Sequence, residues 1–191
     1  MNGVTSIRFT IIAALSATLW QGCSLLQEHL PGLAMSNAHL LHVLGTIDEA
    51  EMDAARLAMD KAADPEVRAF AGRIMNEHRA LADANGRLAS ELSVQPSPAA
   101  LASDLKRAHA QTMHELRAMS GGHFDQAYVR SEIQRHVQAF NFFEAAAESV
   151  TNMTLKQQLI RAGPDLLSHI SAARALERHL GFEQRETLAS R

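Results

Sequence analysis

The sequence has a single cysteine, Cys23, among its 191 residues. One cysteine can form no internal disulfide, and it cannot supply the several thiolates of a cysteine-based metal site. Aromatic residues are also scarce, at 5%, although 47% of the chain is hydrophobic. A core that is built with so few aromatic side chains favours an all-α domain over a β-sandwich.

Neither positive nor negative charge dominates. The formal net charge is −3, and the lysines and arginines are dispersed along the chain. A nucleic-acid-binding protein needs a concentrated basic surface, so we expect no nucleic-acid partner. The sequence also lacks a His-Glu-x-x-His motif, a Gly-rich phosphate loop and a nucleophile elbow. These absences favour a protein that is not an enzyme of any of those classes.

The apolar run at residues 9–20 is too short to span a bilayer but suits the hydrophobic core of a signal peptide. Gly22-Cys23 at its end resembles a bacterial lipobox, in which the cysteine becomes the lipidated first residue. We predict a signal peptide over residues 1–23 and lipidation of Cys23. The lipid would anchor the protein to a membrane, which is the partner we expect. An ordinary secretory signal with a stray cysteine is the alternative.

A non-acidic residue, Ser24, follows the cysteine. By resemblance to lipoprotein sorting rules, this residue predicts an outer-membrane lipoprotein on the periplasmic side of the bacterial cell envelope. Residues 24–36 contain Pro31-Gly32 without long periodicity, and we interpret them as a tether.

Four long stretches carry apolar residues at alternating steps of four and three, which is the spacing of an amphipathic helix. We predict these core helices over residues 37–63, 65–92 and 124–150 and from residue 152 to residue 181, with a polar tail at 182–191. Asp64 and Asn152 are expected to cap the second and fourth helices. Gly163-Pro164 predicts a kink or a restart in the fourth.

A shorter amphipathic stretch at residues 99–119 lies in the long connection between the second and third core helices. Four long helices with one long central connection predict an all-α fold over residues 37–181. The predicted architecture is a ferritin-like four-helix bundle with a short extra crossover helix.

Ionisable residues interrupt the apolar seam of every long helix. Glu51 and His78 lie at equal distances from the turn at residues 64–65, so they should face each other in the first hairpin. The same counting places His169 level with Glu132 and His136 in the second hairpin. If the hairpins pack in register, the cluster consists of Glu51, His78, Glu132, His136 and His169, with Glu77 and Asp165 flanking it.

Buried carboxylates and imidazoles are costly unless they are paired, so this cluster needs an explanation. One interpretation is a metal site, because neutral histidine and carboxylate suit zinc, iron or manganese. The other is a hydrogen-bonded network that fixes helix register, in a structural or interaction module. An atypical di-metal redox enzyme is a third, disfavoured because di-iron carboxylate proteins use Glu-x-x-His and this chain has none.

Two further features are weaker candidates. His39 and His42 could bind a surface metal ion from one helix face, although such a pair is more often incidental. Asp125 and Tyr128 should have structural roles, as a helix cap and a buried phenol.

The motif Phe124-Asp125-x-x-Tyr128, together with the spaced His78, His136 and His169, resembles a known family. It is the bacterial envelope family known as domain of unknown function 4142, which is described as ferritin-like and often as outer-membrane protein. The resemblance covers about residues 38–180 and implies the fold and the envelope location. It implies no activity. The family usually has Asp-His where this chain has Glu77-His78 and Arg135-His136, so the carboxylate beside His136 is missing.

Overall fold

The structure, a computed structural model, describes residues 35–189, with side chains through residue 181. The predicted signal peptide, Cys23 and nearly all of the predicted tether lie outside the described residues. Residues 35–189 form five α-helices and no strand, which confirms the all-α prediction. The helices are α1 (Asn37–Lys61), α2 (Pro65–Glu91), α3 (Ala100–Ala118), α4 (Gly121–Ser149) and α5 (Met153–Ala189).

The predicted caps form where the sequence places them. Asp64 Oδ1 accepts hydrogen bonds from the backbone N–H groups of Glu66 at 2.7 Å and Val67 at 3.2 Å. Asn152 Oδ1 accepts from the backbone N–H of Leu155 at 3.0 Å. Both caps satisfy N–H groups that a helix start would otherwise leave without a partner.

The helix α5 is continuous through Pro164, so the predicted restart does not occur. Proline removes the hydrogen bond to the carbonyl of Ile160, and its ring crowds that carbonyl. Ile160 and Pro164 are both exposed, so water can satisfy that carbonyl. The helix also continues to Ala189, into the segment that the sequence predicts as a polar tail.

The helices pack in pairs. The pair α1–α2 and the pair α4–α5 are each joined by a short connection, α1 also contacts α4, and α2 contacts α5. The helix α3 lies against α1 and α4. His109 of α3 approaches Asp53 of α1, with 3.0 Å between Nε2 and Oδ2.

Asp125 joins the two pairs. Its carboxylate accepts hydrogen bonds from the backbone N–H groups of Ala63 at 3.0 Å and Asp64 at 2.8 Å. The prediction that Asp125 caps its own helix is wrong, because α4 begins at Gly121, a full turn earlier. The expected burial of Tyr128 is confirmed, and its ring centroid lies 6.2 Å from that of Phe124.

The apolar core falls into two clusters along the helices. One contains Leu44, Phe142 and Leu155, and the other contains Ile74, Phe124 and Ala173. Buried charged and polar side chains lie between these clusters, and we call them the polar layer. Its members are Asp48, Glu51, His78, Glu132, Arg135, His136 and His169. None of the described helices is long and apolar enough to cross a membrane.

Candidate metal centre

The polar layer is nearly closed to solvent. Its carboxylates and imidazoles have exposed fractions between 0% for Glu132 and 4% for Asp48. All four of the long helices contribute to it: α1, α2, α4 and α5. The predicted convergence of Glu51, His78, Glu132, His136 and His169 inside the fold therefore occurs.

Three histidines form the centre of the layer. The ring centroids are 5.6 Å apart for His78 and His136, 5.9 Å for His78 and His169, and 4.9 Å for His136 and His169. One ring nitrogen from each lies within 4.8 Å of the others. The two Nε2 atoms of His78 and His136 are 3.5 Å apart. This spacing brings three imidazole nitrogens to one small volume.

Each ring uses its other nitrogen for a hydrogen bond to an acceptor that is not one of the three histidines. His78 Nδ1 lies 2.9 Å from Asp48 Oδ1, and His136 Nδ1 lies 3.0 Å from the backbone oxygen of Glu132. His169 Nε2 bonds to Glu77 Oε2. Because carboxylates and carbonyls only accept here, each of these nitrogens carries the proton.

The tautomers then leave one lone pair on each ring, on Nε2 of His78, Nε2 of His136 and Nδ1 of His169. The last of these is buried without a hydrogen-bond partner. Burial lowers the pKa of His136 to about 4, so its ring is neutral at physiological pH. Neutral imidazoles whose far nitrogens are held by acceptors are the usual arrangement of metal-binding histidines.

Asp48 is held in place from a second side. Asn85 Nδ2 donates to Asp48 Oδ2 at 2.7 Å, and Gln158 in turn donates to the side-chain oxygen of Asn85. Burial raises the pKa of Asp48, and the hydrogen bond from His78 opposes that rise. These contacts connect the orientation of His78 to α1, α2 and α5.

Glu51 and Glu132 form the other side of the layer, around Arg135. Arg135 Nε donates to Glu51 Oε1 at 2.9 Å and Nη2 donates to Oε2 at 3.1 Å, which is a bidentate pair. Nη2 also donates to Glu132 Oε1. Burial opposes ionisation of Glu51, but the guanidinium holds the pKa of Glu51 below its usual value.

The pKa of Glu132 shifts in the opposite direction from that of Glu51. Burial raises the pKa of Glu132 well above its usual value, and Glu51 adds to that rise. Its Oε2 is buried without a hydrogen-bond partner. The guanidinium therefore balances the ionised Glu51, whereas burial favours the protonated form of Glu132.

The structure corrects two details of the predicted cluster. Glu51 does not pair with His78, because Asp48, one turn earlier on α1, takes that position. Glu77 contacts His169 as a flanking residue, whereas Asp165 is exposed and lies outside the layer. Asp165 falls on the solvent side of α5 because the buried face of that helix follows Leu166, His169 and Ile170.

Sequence reasoning missed Asp48 and Arg135. Asp48 lies four residues after Leu44 on the same helix face, so the helical spacing alone could have identified it. Arg135 is three residues after Glu132, which is also a same-face spacing. His39 is exposed and His42 partly buried, and neither belongs to a three-ligand group among the described residues.

Comparison with known families identifies the domain and assigns it no chemistry. Residues 25–176 match the model of the domain of unknown function DUF4142. The chain therefore belongs to this family, as its motifs suggested. No curated protein and no solved structure matches the chain.

Proposed function

We propose that the protein binds a transition-metal ion through His78, His136 and His169. The observation that carries this proposal is the convergence of three imidazole nitrogens whose far nitrogens are already protonated and hydrogen-bonded. Zinc, iron and manganese are the candidate ions, and imidazole suits zinc and iron best. Glu51, which belongs to the neighbouring group that shares His136, supplies negative charge beside the three histidines.

Electrostatics favours a cation at this point. Two neutral imidazoles that present lone pairs to each other at 3.5 Å repel, and His169 adds a third. A buried acceptor with no donor costs about 1–3 kcal/mol. A bound cation would remove this cost for all three nitrogens at once.

The alternative is a metal-free network. A second proton on His78 would let it donate to both Asp48 and His136, so that the layer only fixes helix register. The protein would then be a structural or interaction module of the envelope. An atypical di-metal redox enzyme is a further alternative, but the glutamates are already bound to Arg135.

The paired packing supports a ferritin-like four-helix bundle made of α1, α2, α4 and α5, with α3 as the crossover helix. For the location we propose the periplasmic side of the bacterial envelope, with an outer-membrane lipid anchor on Cys23. The support is the apolar run at residues 9–20 and the Gly22-Cys23 pair.

The metal proposal is tested with protein purified without a histidine tag. Elemental analysis should find a transition metal, and adding zinc, iron or manganese to stripped protein should raise the melting temperature. At a free metal concentration of 100 times Kd, linkage predicts about 2.7 kcal/mol of added stability. His136→Gln should abolish the effect. His109→Gln, which changes a histidine paired with Asp53 outside the cluster, should retain it.

Less than about a tenth of an equivalent of metal, with no thermal shift on adding any of the three ions, would contradict the proposal. The metal-free network would then be the better description of the polar layer.

A further inference from the structure

A second group of candidate ligands lies beside the three histidines. One ligand atom each from Glu51, Glu132 and His136 lies within 4.8 Å of the others. His136 belongs to both groups. By ligand count alone, the polar layer could therefore hold two ions, with the second bound by carboxylates.

Arg135 already contacts both of those carboxylates. Its guanidinium donates to the two oxygens of Glu51 and to Oε1 of Glu132. These are three of the four carboxylate oxygens that a second ion could use. We infer that Arg135 takes the place of a second metal ion, so that the layer binds one ion through imidazole nitrogens. This inference rests on the proposed function.

Charge and geometry both support this role of Arg135 in place of a second ion. A guanidinium is a planar cation whose donors match a carboxylate in pairs, so it can neutralise Glu51 without a metal. A divalent ion bound to the same oxygens would have to lie next to this positive charge. At a few ångströms that repulsion is large in a buried site. The two cations therefore exclude each other.

The arrangement also affects which ion binds. Manganese prefers carboxylate and water oxygens, whereas zinc accepts a site made mainly of imidazole nitrogens. Arg135 occupies the carboxylate oxygens with hydrogen bonds, so the three imidazoles remain available as ligands. We therefore expect the polar layer to bind a single ion, such as zinc, through imidazole nitrogens.

The position of Arg135 can be reached from solvent. A cleft of about 70 Å³ between α1, α3 and α4 is lined by Glu51, Ser131 and Arg135, among others. The Arg135 side chain is 19% exposed, whereas Glu132 is fully buried. An ion could therefore enter through this cleft if the arginine were replaced.

The test counts bound zinc. Stripped full-length protein is titrated with zinc, freed of excess by gel filtration, and analysed for zinc and protein. All variants carry His39→Ala, which removes the surface pair with His42. We expect one equivalent in the otherwise unchanged protein, two in Arg135→Met and one in Arg135→Lys, which keeps the positive charge.

The possible failures separate the two proposals. If the protein with Arg135 unchanged binds no zinc, the proposed function itself is contradicted. Two equivalents in that protein, or one in a folded Arg135→Met variant, would overturn the role of Arg135 and leave metal binding intact. If Arg135→Met fails to fold without metal, refolding in excess zinc should give folded protein with two bound equivalents, and this result supports the inference. Failure to refold in zinc contradicts it.

Discussion

Arg135 of α4 binds both carboxylate oxygens of Glu51 of α1, at 2.9 Å and 3.1 Å, across 84 residues of sequence. The Glu51 side chain is 4% exposed, so this pair is a buried ion pair between the two helical hairpins. Removing one partner of such a pair leaves a buried charge without compensation.

Arg135→Ala should therefore lower the free energy of unfolding of the metal-free protein by about 3–5 kcal/mol. Urea unfolding monitored by circular dichroism measures the change. Arg130→Ala is the matched control, because Arg130 pairs with Glu177 on the surface, where both side chains are well exposed. That pair should contribute no more than about 1 kcal/mol. Equal losses in the two variants would show that the buried pair has no special role.

Stability should also depend on pH through His136. The unfolded chain protonates this residue near pH 6.5, whereas the folded protein does so with a pKa of about 4. Between these values the unfolded state binds more protons, so the free energy of unfolding falls as the pH is lowered. The contribution is up to about 1.4 kcal/mol per pH unit.

Urea unfolding of metal-free protein between pH 7 and pH 4 tests this effect in comparison with His136→Gln. The stability of the unchanged protein relative to the variant should decrease as the pH falls through the window set by 6.5 and 4. Parallel curves for the two proteins would mean that His136 does not titrate as described.

Asp48 should act on metal affinity without binding the ion. It accepts the Nδ1 proton of His78 and so directs Nε2 toward the cluster. Asp48→Asn should weaken zinc binding by about 10–100-fold, as is usual for the hydrogen-bond partners of metal-binding histidines. Competition with a metallochromic chelator measures the dissociation constant.

Asp53→Asn is the control for Asp48, because Asp53 also pairs with a histidine, His109, but outside the polar layer. Its zinc affinity should match that of the unchanged protein. If Asp48→Asn binds zinc equally tightly, the proposed orientation of His78 is incorrect.

The lipid anchor is tested separately from the metal. Cys23→Ala should move the protein from the membrane fraction to the soluble periplasmic fraction, because the acyl chains would have no attachment point. Ser24→Asp should keep the protein on a membrane but change which membrane holds it. Membrane association that persists in Cys23→Ala would exclude the lipid anchor.

The helices and the level of the polar layer could be predicted from periodicity and from counting residues away from each turn. Counting residues away from each turn gave the right height for His78, His136 and His169, because the rise per residue is the same in every α-helix. The pairing of Glu51 was wrong, because height does not specify which way a side chain points around the helix axis.

Arg135 could not be identified by that counting for a different reason. Its long side chain carries the guanidinium to two carboxylates, and only the packing of α4 against α1 determines which ones. The sequence also left open whether α5 restarts or continues at Pro164, because that depends on the exposure of Ile160 in the folded protein.

Anomalous diffraction from zinc-loaded crystals is the most direct test of the metal centre. We predict one peak in the polar layer, about 2.0–2.1 Å from Nε2 of His78, Nε2 of His136 and Nδ1 of His169. Zinc found only at surface histidines such as His39, with no peak among these three nitrogens, would contradict the metal assignment.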